Sequence, residues 1–114
     1  MYNFNMYVIE SDTLKQLPEI TRRIVEISNP DQIILFGSYA RGDFGPDSDL
    51  DLLVIKDKVD KPREEAAKIY RGLRHMLIPI DIVVVSTAYV QRYKDIIGTI
   101  VRPALREGKV IYAR

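Results

Sequence analysis

Apolar residues near the start of the chain recur with helical spacing. Leu14, Leu17, Ile20, Ile24 and Ile27 follow one another at intervals of three and four, which is one face of an amphipathic helix. Ser11-Asp12 is a helix-start signal, but Pro18 is best tolerated in a first turn, so the regular helix is expected to begin near Leu17. Ser28-Asn29-Pro30 ends it. Ahead of this helix Tyr2, Phe4, Met6 and Val8 occupy alternate positions, the period of a short strand or extended arm. The chain therefore divides into an arm over residues 1–10 and a domain over residues 11–114.

Three short apolar runs follow, at Ile33–Phe36, Leu50–Ile55 and Ile80–Val85. They are rich in β-branched residues and too short for buried helices, so they read as strands. Between the second and third, a helix is expected over Pro62 to Leu77, with Asp60 as cap and Ala66, Ile69, Leu73 and Leu77 facing the core. Ser86 can cap a further helix with Val90, Tyr93, Ile97 and Ile100 turned inward, kinked or divided by Gly98 and Pro103. Gly108 fits the position just past a helix end, and Lys109 to Tyr112 reads as a last strand. The pattern predicts an α/β fold, a small mixed β-sheet with helices packed on it.

Composition narrows the class. The chain has 114 residues, enough for one domain, and 46% of them are hydrophobic, enough for a proper core. It has no cysteine and one histidine, which excludes disulfides, thiolate zinc sites and histidine-rich metal sites. Seventeen basic against sixteen acidic residues leave a net charge of +1, with no global field for nucleic acid or membrane. No apolar run approaches the ~20 residues of a membrane span, and no signal peptide is visible at the N-terminus. A cytoplasmic protein with no membrane association is expected.

The candidate chemistry lies in residues 37–54. Gly37-Ser38 directly follows an apolar strand and precedes a helix-compatible turn, Tyr39-Ala40-Arg41. Backbone N–H groups there, with the Ser38 hydroxyl, are suited to phosphate oxygens, and Arg41 could pair with a phosphate one turn on. Asp49 and Asp51 are separated by one residue at a strand start, so their side chains share a face, while Leu50, Leu52 and Val54 point into the core. Neighbouring carboxylates repel, and a divalent cation removes that repulsion. Asp81 interrupts an otherwise apolar strand and needs a cation, a donor or water. If its strand neighbours the other, three carboxylates converge, as two-metal phosphoryl transfer requires.

Gly37-Ser38, ten intervening residues, then Asp49-x-Asp51, with a later isolated Asp81, resembles the nucleotidyltransferase superfamily of the DNA polymerase β type. The fuller string Gly37-Ser38-x-Ala40-Arg41-Gly42 with Ser48-Asp49-x-Asp51-Leu52 resembles the minimal nucleotidyltransferases (MNT), small antitoxins paired with HEPN-domain toxins. The resemblance runs from the helix near Leu14 to Tyr112. It implies a polymerase β palm-like fold. It further implies that Gly37 and Ser38 hold the β- and γ-phosphates of ATP, that Asp49 and Asp51 ligate two Mg²⁺ ions (Mn²⁺ being the alternative), and that Asp81 ligates the catalytic ion and helps activate the attacking hydroxyl. Arg41 would contact phosphate or shape the loop. The implied reaction is transfer of AMP to a tyrosine of a HEPN toxin, with release of pyrophosphate.

The short chain leaves little surface for a dedicated acceptor pocket, so the acceptor is expected on a protein partner, and the neutral charge argues against nucleic acid. Two alternatives stand beside this reading: an antitoxin that only binds and occludes its partner, and a small-molecule nucleotidyltransferase. A homo-oligomer is compatible with the apolar arm. Other conspicuous residues have plain roles. His75 reads as a surface residue near a helix end, Lys56–Lys61 as a solvated mixed-charge loop, and Arg22-Arg23 with Arg71 and Arg74 as solvated helix faces.

Overall fold

The computed structural model describes residues 12–114; the arm expected over residues 1–10 lies outside the described residues. The first long helix, α1, runs Leu17–Ser28 with Pro18 in its first turn, as the pattern requires. It stops at Asn29, which adopts the left-handed conformation (φ +50°) and donates its N–H to the Val25 carbonyl at 2.9 Å. Ile20 and Ile24 are fully buried, while Arg22 and Arg23 form ion pairs with Glu19 and Glu26 on the outer face.

Strand β1 (Gln32–Phe36) leads through a single helical turn, α2 (Ser38–Arg41), to β2 (Leu50–Lys56). Helix α3 (Pro62–Leu73) then crosses over to β3 (Ile80–Ser86). Two short helices, α4 (Thr87–Tyr93) and α5 (Val101–Glu107), precede β4 (Lys109–Ala113). The four strands form one sheet in the order β3-β2-β1-β4. β1 is antiparallel to both β2 and β4, whereas β2 and β3 are parallel, because a helix crossover returns the chain in the same direction. The expected mixed sheet is the one observed.

Both faces of the sheet are covered. On one, Ile33, Leu35, Leu50, Leu52 and Val54 pack against Ile20 and Ile24 of α1 and Ile69 and Leu73 of α3. On the other, Ile34, Phe36, Leu53, Ile55 and Val85 pack against Val90 of α4 and Val101 and Ala104 of α5. The β2 run is continuous in apolar residues because it is buried on both sides.

Four expectations are corrected. Asp60 does not cap α3; the N-cap is Lys61, with no side-chain capping bond, and Pro62 opens the helix. Leu77 is not in the core but 89% exposed, since a 3₁₀ turn over Arg74–Met76 breaks the α-helical phase after Leu73. Ile97 (81% exposed) and Ile100 also face outward. The helix ends at Tyr93, Gly98 turns at φ +95°, and α5 restarts so that Val101 and Ala104 take the core positions; Pro103 sits inside α5. Lys56 is not simply solvated, as its ammonium lies 3.1 Å from Glu65 and both side chains are largely buried. Ser86 does cap α4, accepting from the Tyr89 N–H at 3.0 Å. Gly108 follows α5 as expected, but for another reason. Its φ is ordinary, and an added Cβ would strike the Ala104 carbonyl and the β1 backbone at Leu35.

Glu65 ties three elements together. It accepts from the Ser28 hydroxyl of α1 at 2.5 Å and from Lys56 of β2 at 3.1 Å. Burial alone would raise its carboxyl pKa; the bonds from Ser28 and Lys56 outweigh this and hold it below the usual range. In Glu65→Ala the Ser28 hydroxyl, 2% exposed, loses its acceptor. A loss of about 1–3 kcal/mol is expected. A lowered carboxyl stabilises fully above its unfolded pKa and stops doing so as pH falls through the folded value. The difference in Tm between wild type and Glu65→Ala should therefore narrow from pH 7 to pH 3, and a constant difference would reject the ionic contribution.

Candidate active site

The site is built where β1 ends. Gly37 leaves the strand with φ +73° and ψ −156°, a region essentially restricted to glycine. Its carbonyl accepts from the Ala40 and Arg41 N–H groups at 3.1 and 3.0 Å, which forms the single turn of α2. Gly42 closes that turn at φ +88°, donating to the Ser38 carbonyl at 2.9 Å. Tyr39 stacks on Phe44 with ring centroids 4.4 Å apart, pinning the following loop to the core. Ser48 and Gly45 bond reciprocally, Gly45 N–H to Ser48 Oγ at 2.8 Å and Ser48 N–H to the Gly45 carbonyl at 3.1 Å. That turn delivers Asp49 to the mouth of β2.

The space beside Gly37 that a side chain would fill is taken by Asp51. A Cβ on Gly37 would collide with Asp51 Oδ2 and lie 3.0 Å from Asp51 Cγ. Asp51 pairs with Phe36 across the antiparallel ladder and with Asp81 across the parallel one. The two carboxylates thus stand side by side on adjacent strands, on the face that farther along carries Leu53, Val83 and Val85. Asp51 is half-buried, while Asp49 and Asp81 are exposed. Burial raises the Asp51 carboxyl above its usual pKa; Asp81 and then Asp49 push it the same way, and Arg41 opposes them.

Asp51 and Asp81 are therefore brought side by side with Asp49 at the same strand mouth, Gly37 lying against Asp51 and Ser38 next in the chain. Their donor set, all hard carboxylate oxygens, fits a divalent cation such as Mg²⁺. Among the described residues, no three acidic or histidine side chains close around a common point as a ready-made cage. Arg41 joins the group only through its charge. Its guanidinium bonds to Asp43 at 3.1 Å and Glu107 at 3.3 Å, on the outer side of the loop.

Sequence reasoning missed Tyr70. It follows the buried Ile69 on α3, and its hydroxyl lies 3.3 Å from Asp81 Oδ1. A tyrosine at the margin of an apolar helix stripe signals a hydroxyl needing a partner, but nothing local identifies Asp81 as that partner. Two hollows lie elsewhere. One of about 510 Å³ sits between Lys56, Val59 and Arg71, and one of about 810 Å³ runs along Ile82–Ser86 of β3. Neither includes the acids. The neighbouring carboxylates, not the size of a hollow, mark the candidate centre, and it lies at a strand end where Asp49 and Asp81 are exposed.

Two outcomes follow from this geometry. Gly37→Ala meets both backbone strain and the Asp51 carboxylate, and a loss of at least about 1–3 kcal/mol is expected. Adding Asp51→Ala should recover the steric part and leave the backbone part, measured as a non-additive change in Tm; strict additivity would reject the contact. For Asp51→Asn the sign is opposite. A carboxyl whose folded pKa is raised destabilises the ionised fold, fully so at neutral pH and not at all below its unfolded value. Asp51→Asn should melt a few degrees higher than wild type at pH 7, with the gain disappearing towards pH 3.

Comparison with known proteins agrees with this architecture. The family model of the nucleotidyltransferase domain matches residues 14–104. A protein of Methanocaldococcus jannaschii named as a protein adenylyltransferase, MJ0141, is 40% identical over 47 residues, which is 41% of this chain and 48% of that protein. The chain thus spans about half the length of that curated relative. A solved structure from Sulfolobus solfataricus, named as a nucleotidyltransferase, superposes with TM-score 0.66 at 20% identity over 93% of this chain and 85% of that one. A toxin–antitoxin structure with AMP-PNP superposes with TM-score 0.52 at 24% identity over 84% and 73% of the two chains. These superpositions show a shared fold. With the family model spanning most of its length and the glycine turn and acids set as described, the chain belongs to the nucleotidyltransferase domain family.

Proposed function

We propose that this chain transfers AMP from ATP to a tyrosine hydroxyl of a helical HEPN-domain toxin, and so acts as its antitoxin. One observation carries the transfer chemistry: Asp51 and Asp81 stand in register on parallel strands with Asp49 at the same mouth, and Gly37, lacking a side chain, leaves Asp51 room. The family supplies the reaction class, and the curated relative is named for protein adenylylation. The partner and the acceptor tyrosine follow from the resemblance of the Gly37–Leu52 string to the minimal nucleotidyltransferases.

In this reading the acceptor oxygen attacks the α-phosphorus in line, a new P–O bond forms, and the bond to the β-phosphate breaks, releasing pyrophosphate. Asp81, exposed at the strand mouth, takes the hydroxyl proton. Asp49, Asp51 and Asp81 would hold Mg²⁺, which when bound neutralises charge on the transferring group and lowers the pKa of the attacking hydroxyl. Gly37 and Ser38, at the start of α2, face the phosphates. Arg41 must exchange its bonds with Asp43 and Glu107 to reach them; both are exposed surface pairs, readily broken. The open strand end leaves the acceptor side to the partner, so catalysis is mainly positioning and charge stabilisation.

The test is mass spectrometry of the toxin encoded beside this gene, after incubation with ATP, Mg²⁺ and this protein. One or more additions of AMP on tyrosine are expected, absent with EDTA and absent with Asp49→Ala, whose melting temperature should stay at or above that of wild type. A toxin silenced equally by wild type and Asp49→Ala, with no added mass, would replace this reading with neutralisation by occlusion.

A further inference from the structure

Tyr70 makes two contacts that packing alone does not require. The Ile82 N–H donates to its hydroxyl at 2.6 Å, and the hydroxyl faces Asp81 Oδ1 at 3.3 Å. β3 is the outer strand on its side of the sheet, so alternate N–H groups lack a ladder partner. Tyr70 satisfies one of these, next to the acid that stands in register with Asp51. A phenol accepting from an N–H keeps a single proton to donate, and Asp81 is the carboxylate within reach.

We propose that Tyr70 is a positioning residue for Asp81: its hydroxyl, fixed by the Ile82 backbone, donates to Oδ1 and restricts the rotation of the carboxylate beside Asp51. Tyr70 remains 39% exposed, so it also stands at the border of the open acceptor side. The inference rests on reading the three acids as the ion-binding centre. Hydrogen-bond partners behind metal-binding groups typically change metal affinity by about 10–100-fold when removed.

Tyr70→Phe keeps the ring and deletes only the hydroxyl. Mn²⁺ binding to the full chain, in the presence of a non-hydrolysable ATP analogue, would be measured by calorimetry for wild type, Tyr70→Phe, Asp81→Ala and the double variant. Tyr70→Phe should weaken Mn²⁺ binding about tenfold. In the Asp81→Ala background the same change should have no further effect, because its route runs through Asp81. Thermal melting of each variant shows that it is folded, and faster exchange of the Ile82 amide in Tyr70→Phe reports the lost backbone contact. Unchanged Mn²⁺ affinity in Tyr70→Phe overturns the proposal, and so does an equal loss in both backgrounds, which would assign Tyr70 to the fold alone. If wild type binds no Mn²⁺, or Asp49→Ala binds it equally well, the reading of the acid centre itself fails and this inference fails with it.

Discussion

The parallel pairing of β2 with β3 is the constraint on which the rest depends. It sets Asp51 opposite Asp81, residue against residue, at the strand mouth. A slip of one residue would turn Asp81 to the opposite face and move Ile82 and Val84 out of the first core. The register that assembles the acids is thus the same register that closes the core. The Leu50 N–H bonded to the Pro79 carbonyl at 2.9 Å begins that register one step before the acids.

Like charges held together oppose folding, and the fold offsets this with apolar burial on both faces of β2. Leu50, Leu52 and Val54 pack on one side and Leu53 and Ile55 on the other, all inaccessible or nearly so. Each such side chain contributes roughly 1.5–3 kcal/mol when fully buried. This exceeds what repulsion among partly solvated carboxylates removes. The strand can therefore carry acids at its mouth and an unusual backbone at Gly37 without losing its place in the sheet. Glu65 works in the opposite sense at the far end of β2, where an acid paired with Lys56 and Ser28 fastens α1 and α3 to the sheet.

The strand end is left open in a way that matches the chemistry. Asp49 and Asp81 are exposed at the mouth, and the two hollows described above lie elsewhere. An exposed strand mouth of this kind does not enclose what docks on it. The chain belongs to the nucleotidyltransferase domain family; what docks at the mouth depends on the surface around it. Among the described residues, no helix is long and apolar enough to cross a membrane.

Much of this was legible in the chain. The four strands, α1 and the start of α3 follow from apolar spacing, and Pro18, Asn29 and Ser86 mark ends that the structure confirms. Gly37, Asp49, Asp51 and Asp81 were visible because glycine at a strand exit and acids inside apolar runs are locally anomalous. The errors arose where phase or partner is non-local. Leu77, Ile97 and Ile100 continue a helical pattern on paper, but the 3₁₀ turn and Gly98 end each helix early, and only the packed sheet decides which residues then fill the core. The pairing of Arg41 with Glu107 joins residues far apart in the chain and has no local signal. The bond from Tyr70 to Asp81 spans a crossover between a helix and an edge strand. Local spacing determines which segments become strands and helices, because it sets which side chains share a face. Strand order, register and the partners of charged groups were decided only by the tertiary structure, because they depend on pairs of residues far apart in the chain that packing brings together.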